Sequence, residues 1–197
     1  MPTRALFPTL LYTAALQARG ARAFNRQLLR EIQQLRHDDR AGQKWSRSHY
    51  PGGFTSYASA NRLQEVSPTF ARLAQKLAPH VRLFCRELRL QPAHRKLVMT
   101  DCWANIMPAG VAHGLHLHPL STLSGTYYVQ TPKGAPGLKL EDPRLDRMMA
   151  APRRSAWVLV QANAGHLVLF ESWLRHEVPA NSARAERVSI SFNFNWF

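Results

Sequence analysis

Acidic residues are scarce in this chain. Twelve Asp and Glu stand against 26 Lys and Arg, a formal net charge of +14 over 197 residues. That shortage excludes an acidic solvating polypeptide, and a charged fraction of only 19% excludes a disordered one. Cysteine is nearly missing as well. Cys85 and Cys102 are the only two, which rules out the dense disulfide framework of a small secreted domain. Cys85 falls on an apolar helix face and Cys102 inside a strand, so two buried free thiols are expected. Long apolar runs are also absent. Residues 5–12 are short, broken by Pro8 and Thr9 and preceded only by Arg4. They read as a first strand and not as a signal segment, and no stretch is long enough to span a bilayer. The expectation is a cytoplasmic protein with no membrane partner.

What is present fits one compact domain over residues 1–197, with an ordinary apolar fraction of 45%. Its basic excess attracts anions in general. The cations are scattered, in short clusters such as Arg19-Gly20-Ala21-Arg22 and Arg153-Arg154, with no aromatic-and-basic stripe. A solvated basic surface is the simpler reading. Nucleic acid is disfavoured without being excluded, the substrate stays open between peptide, amino acid, nucleic acid and small metabolite with a slight lean toward an anionic one, and a homodimer stays open.

Residues 1–95 read as helical support with a lid loop. Phe24, Leu28, Leu29, Ile32 and Leu35 recur at helical spacing over 22–36. A second helix starts at Ser67-Pro68, an N-cap followed by a first-turn proline. It carries Phe70, Leu73, Leu77, Val81, Phe84 and Leu88 on one face. Pro79 predicts a kink or split there. Between the helices, residues 45–57 are rich in Gly, Pro and aromatics and read as a loop, with Trp45, Tyr50 and Tyr57 either covering a substrate or pinning the loop down.

Residues 96–197 read as strands, at 97–106, 115–118, 124–131, 137–140, 155–161, 165–171 and 186–196. Helices first and strands afterwards predict an α+β or mainly β fold, a helix-backed barrel. In the last strand Val188, Ile190, Phe192, Phe194 and Trp196 share one face, and Arg187, Ser189, Ser191, Asn193 and Asn195 the other. One side must pack on apolar partners; the other meets water or a polar cavity.

The residues that point to chemistry are histidines. His116 and His118 form an H-x-H pair, and residues i and i+2 of a strand point the same way, so both reach one ion. Imidazole suits Fe, Zn, Cu and Ni, although an H-x-H pair alone is as often merely structural. A third candidate, His176, ends a buried strand. Arg187 follows eleven residues later, with Ser189 on its face. Such an Arg-x-Ser pair can grip a carboxylate through charge-assisted hydrogen bonds.

These segments together resemble the 2-oxoglutarate/Fe(II) dioxygenase superfamily, in a prolyl-hydroxylase-like branch with an H-x-H-P motif. The resemblance runs through Leu6-Phe7-Pro8-Thr9, Gly52-Gly53-Phe54-Thr55-Ser56-Tyr57, His116-Leu117-His118-Pro119, Ser124-Gly125-Thr126-Tyr127-Tyr128-Val129 and Glu141-Asp142-Pro143-Arg144. It continues in Phe170-Glu171-Ser172-Trp173-Leu174-Arg175-His176 and Arg187-Val188-Ser189-Ile190-Ser191-Phe192-Asn193. It implies a double-stranded β-helix, or jelly-roll barrel, with Fe(II) on His116, His118 and His176. It also implies 2-oxoglutarate as cosubstrate, its distal carboxylate on Arg187 and Ser189. Tyr127 or Tyr128 would line the same pocket, alternation admitting only one of them. The implied reaction hydroxylates a C–H bond and releases succinate and CO2.

One position departs from the commoner motif. His118 stands where an H-x-D site has a carboxylate, which makes the site more positive by one charge. Two other readings therefore stay open, a three-histidine cupin-like dioxygenase without 2-oxoglutarate and a non-catalytic basic binding module. A pair of His113 with His116, leaving His118 outside the ligand set, is less favoured because spacing three does not keep two strand residues on one face. Asn105, Glu171 and Arg144 are further candidates. Asn105 would adjoin the site, Glu171 would orient a ligand imidazole, and Arg144 would line the mouth; a structural Asn, an exposed carboxylate and a turn ion pair are the plainer alternatives.

Overall fold

The computed structural model describes residues 3–90, 94–144 and 156–197. In chain order the elements are β1 (Tyr12–Ala15), α1 (Ala21–Asp38), α2 (Arg40–His49), β2 (Phe54–Thr55), α3 (Leu63–Val66), α4 (Pro68–Glu87), β3 (Leu97–Met107) and β4 (His113–His116). They continue with β5 (Leu123–Gln130), β6 (Leu138–Glu141), β7 (Trp157–Val160), β8 (His166–Glu171), β9 (His176–Val178) and β10 (Arg187–Trp196).

Two antiparallel sheets result. The larger runs β1-β8-β5-β10-β3-β2 and the smaller β4-β9-β6-β7. Leu28 and Ile32 of α1 and Leu73, Leu77 and Phe84 of α4 are buried in one cluster with Tyr127, Leu167, Leu169, Val188, Ile190 and Phe192 of the larger sheet. The apolar face of β10 thus packs where the predicted helices lie. Its other face closes on the smaller sheet, and Arg187, Ser189 and Asn193 are buried there. The polar side of the last strand lines an interior and not the surface. This is the jelly-roll, helix-backed barrel expected. Among the described residues, no helix is long and apolar enough to cross a membrane.

Several local expectations need correction. The first strand forms at Tyr12–Ala15, where β8 offers a pairing edge, and not over 5–12; Leu6 and Phe7 are exposed. The segment 45–57 is a loop only in its second half. Asp39 accepts a hydrogen bond from the Gly42 amide at 2.8 Å and caps α2, which carries the chain to His49. Helix α4 is not split at Pro79. That residue is exposed, so the missing amide hydrogen bond falls on the solvent side of the helix. The predicted strand 155–161 forms as Trp157–Val160, with residue 155 outside the described residues. Cys85 and Cys102 are free and buried, as expected.

Candidate metal centre

His116 ends β4, His118 follows two residues later, and His176 opens β9, directly across the pairing from His116. One ring nitrogen from each lies within 4.8 Å of the other two. The opposite nitrogens are already committed. His116 Nδ1 lies 2.7 Å from the Gly114 carbonyl oxygen and His176 Nδ1 2.9 Å from the Leu174 carbonyl oxygen. A carbonyl oxygen only accepts, so both Nδ1 atoms carry the proton and both Nε2 lone pairs are free.

His118 is fixed by a side-chain chain instead of by backbone. Its Nδ1 donates to Asn193 Oδ1 at 2.6 Å, with Ser124 Oγ at 2.9 Å. Ser124 also donates to Asn193 Oδ1 at 2.8 Å and sits 2.8 Å from Ser172 Oγ. The Asn193 amide is oriented by its Nδ2, which donates to Asp101 Oδ2 at 3.4 Å. With all three Nδ1 atoms held, the three Nε2 atoms form a preset donor face of the kind metal sites use. Sequence reasoning missed Asn193, Ser124 and Asp101. Asn193 does sit on the polar face already visible in β10, but nothing in its spacing singles it out.

Burial keeps these imidazoles neutral. It lowers His176 to about 3 and His118 to about 4, and lowers His116 as well. A neutral ring is the form that ligates. His113 also joins the cluster, its ring stacked on His116 at 4.5 Å, and burial lowers it to about 3. Spacing three would separate the two on a regular strand. The register shift between His113 and His116 brings them to one side. His113 is therefore a neighbour of the triad and stands outside the three-nitrogen set.

Beneath the histidines a narrow recess of about 30 Å³ is lined by Asn105, Arg187 and Ser189 among others. It has room for about two water-sized groups, the size of a carboxylate's oxygens. Arg187 is 3% exposed. Its Nη1 donates to Ser189 Oγ at 3.1 Å and its Nε to the Pro136 carbonyl oxygen at 3.1 Å. No carboxylate lies within ion-pair distance of it among the described residues. An unpaired buried cation is costly, so an anion placed in this recess would be stabilised.

Of the two tyrosines, Tyr128 faces Arg187, with the guanidinium carbon 5.1 Å from its ring centre. Its hydroxyl is buried and meets no partner in hydrogen-bond geometry, and Asn105 Oδ1 is likewise unpartnered. Tyr127 points the other way, its hydroxyl 2.5 Å from Asn25 Oδ1 on α1. It is removed from the pocket set. Tyr50, from the end of α2, is raised to about 12 by burial and lines the passage between this recess and the outer mouth.

Glu171 and Arg144 do not reach the centre. Both line a separate cavity of about 880 Å³ with Leu6, Phe7 and Trp173. Arg144 makes a two-point contact with Asp142 at 2.6 and 2.9 Å. The acceptor that orients His176 is the Leu174 carbonyl, because the turn after β8 aims backbone and not the Glu171 carboxylate at the ring. That cavity is larger, but the converging donors are elsewhere.

Residues 101–193 match the family model described as "Putative 2OG-Fe(II) oxygenase". Residues 101–193 belong to the 2OG-Fe(II) oxygenase family. This family of oxidoreductases uses Fe(II) and 2-oxoglutarate. No curated protein matches the chain in sequence. Among solved structures it is similar to SnoN, a non-heme alpha ketoglutarate dependent epimerase from nogalamycin biosynthesis, at TM-score 0.68 and 16% identity, over 95% of this chain and 78% of that one. It is similar to HygX from Streptomyces hygroscopicus, solved with nickel, 2-oxoglutarate and hygromycin B, at TM-score 0.64 and 14% identity, over 95% and 83%. A prolyl-4-hydroxylase from Pseudomonas putida aligns at TM-score 0.63 and 16% identity, over 95% and 93%. At such identities these structures bear on the oxygenase fold alone.

Proposed function

We propose that this chain is a non-haem Fe(II)- and 2-oxoglutarate-dependent oxygenase that hydroxylates a C–H bond of its substrate. One observation carries the reading: three anchored, neutral imidazoles line one recess with a buried arginine that, among the described residues, has no carboxylate within ion-pair distance. His116, His118 and His176 would hold the metal through Nε2. Arg187 and Ser189 would hold the distal carboxylate of 2-oxoglutarate, with the unpartnered Tyr128 hydroxyl as a further donor. With iron and keto acid bound, O2 would be the oxidant: one of its oxygen atoms goes to the C–H bond to give C–OH, and the other goes to the keto acid, which leaves as succinate and CO2.

The protein's own part is placement. Gly114, Leu174 and Asn193 fix the three rings before anything binds, so no reorganisation is left for the reaction. Arg187 orients the cosubstrate, and Tyr50 and Trp103, which line both the recess and the mouth, shield the centre from water.

His118 in a carboxylate's usual place favours a second reading, a three-histidine dioxygenase acting without a keto acid. The two part on Arg187, which has an occupant only in the first. Anaerobic addition of Fe(II) and then 2-oxoglutarate should produce a weak visible charge-transfer band. The band should vanish in His176→Ala and demand far more keto acid in Arg187→Ala, roughly a hundredfold for a lost charge-assisted pair. Fe(II) binding with no band at any keto acid concentration would overturn the proposal in favour of the second reading.

A further inference from the structure

The mouth outside the three histidines holds about 330 Å³, and none of its lining residues is Asp, Glu, Lys or Arg. Its walls are rings: Trp45, Tyr50, Tyr57 and Trp103, with His49 at the rim. They are held by one another. Trp45 stacks on His49 at 4.3 Å and 7°, Tyr57 meets Trp103 edge-on at 5.2 Å, and Trp45 tilts toward Tyr57 at 6.1 Å. Walls of fixed π faces take a flat ring by offset or edge-on stacking.

Aromatic walls can also take a cation. Here the electrostatics oppose it. The segment from Arg40 to Arg62 that builds much of the wall also carries Lys44 and Arg47, and it contains no Asp or Glu. That field repels a cation on approach and draws an anionic group to the rim. The floor of the mouth is His116 and His118, so whatever fills it lies against the metal ligands.

We infer that the substrate enters this mouth as an uncharged planar ring, on a molecule that is neutral or anionic outside the ring. What then happens to that ring rests on the oxygenase reading; whether the ring binds does not.

The test is calorimetric titration of the full chain, metal-free and loaded anaerobically with Fe(II) and 2-oxoglutarate. Three probes are used: indole-3-acetate, cyclohexylacetate with the same charge but no π face, and tryptamine with the same ring but a cationic tail. Indole-3-acetate should bind more tightly than either of the others by about three- to tenfold. Tyr57 is 48% exposed, so Tyr57→Ala leaves the core intact. It should erase the advantage over cyclohexylacetate, and Trp45→Ala should do the same. Equal or tighter tryptamine, equal cyclohexylacetate, no binding of any ring probe, or indifference to both substitutions would overturn the inference. The charge-transfer band read on the same loaded sample separates the two claims. Ring preference without a band defeats the oxygenase reading alone, and a band without ring preference defeats this inference alone.

Discussion

Asn193 shows how much of the centre depends on a residue that never reaches the metal position. Its side-chain oxygen accepts from both His118 Nδ1 and Ser124 Oγ, and its nitrogen donates to Asp101. A carboxylate is therefore present near His118, one residue further out than in an H-x-D site and linked through an amide. This link fixes the tautomer of His118 and makes its Nε2 a better donor. Asn193→Ala should weaken metal binding by about 10- to 100-fold, the usual cost of losing such an outer partner. Competition against a chelator dye measures this without any turnover. Asn193→Asp keeps an acceptor for His118 but sets a second carboxylate against Asp101 in place of the donated hydrogen bond, so it should restore the affinity only in part. An alanine variant with unchanged metal affinity would show that the hydrogen bond only packs the barrel.

At the scale of elements, the strands owe their placement to two faces that differ sharply. On β5, Tyr127 goes to the helices and Tyr128 to the barrel interior, and Gly125 shares the helix-side face with Tyr127. A Cβ at Gly125 would lie 2.5 Å from the Phe192 ring and 2.7 Å from the Val168 carbonyl oxygen. Gly125→Ala should therefore destabilise the fold by about 1–3 kcal/mol through overpacking, lowering the melting temperature by about 2–4 °C per kcal/mol. Because the position faces away from the histidines, metal affinity of the folded variant should stay unchanged. A loss of affinity with no change in melting would contradict the two-faced description. The same alternation explains which parts of the structure were legible in the sequence. Helices α1 and α4 and the face of β10 declare themselves by period, and the H-x-H pair and Arg187-x-Ser189 by spacing. Helix α2 was hidden because Trp45 is its only large apolar residue, and its evidence was the cap at Asp39. His113 was hidden because a register shift is a property of pairing with β9 and not of β4 alone. Glu171 and Tyr127 looked suitable for the site by residue type, but a turn and the opposite strand face remove them.

For the whole molecule, the consequence of folding is that several imidazoles are held neutral inside one barrel. Burial holds His113 and His176 at about 3 and His118 at about 4, against an ordinary value of 6.5. On unfolding each regains the ordinary value. Between pH 6.5 and about 4 the unfolded chain thus binds protons that the folded chain refuses. The stability these groups contribute is fully present above 6.5 and is lost as pH falls, by up to about 1.4 kcal/mol per pH unit for each imidazole. The partial exposure of His113 and His118 reduces their share. Metal-free protein should therefore melt progressively lower from pH 7 to pH 5.5, before most carboxylates begin to protonate, and a His113→Gln/His176→Gln double variant should show a flatter decline. Metal acts in the opposite direction. At a concentration about a hundredfold above its dissociation constant it adds about 2.7 kcal/mol, which for a chain of this size is about 5–11 °C of melting temperature. Burial lowers all three ligand imidazoles below the ordinary value of 6.5, so protons do not compete with metal at the folded site as they would at exposed histidines, and the increment should persist from pH 7 to pH 6. Scanning calorimetry with and without metal across this range reads both effects. An increment that disappears between pH 7 and 6 would mean that the three histidines titrate as exposed groups, and that the barrel does not hold them as the structure shows.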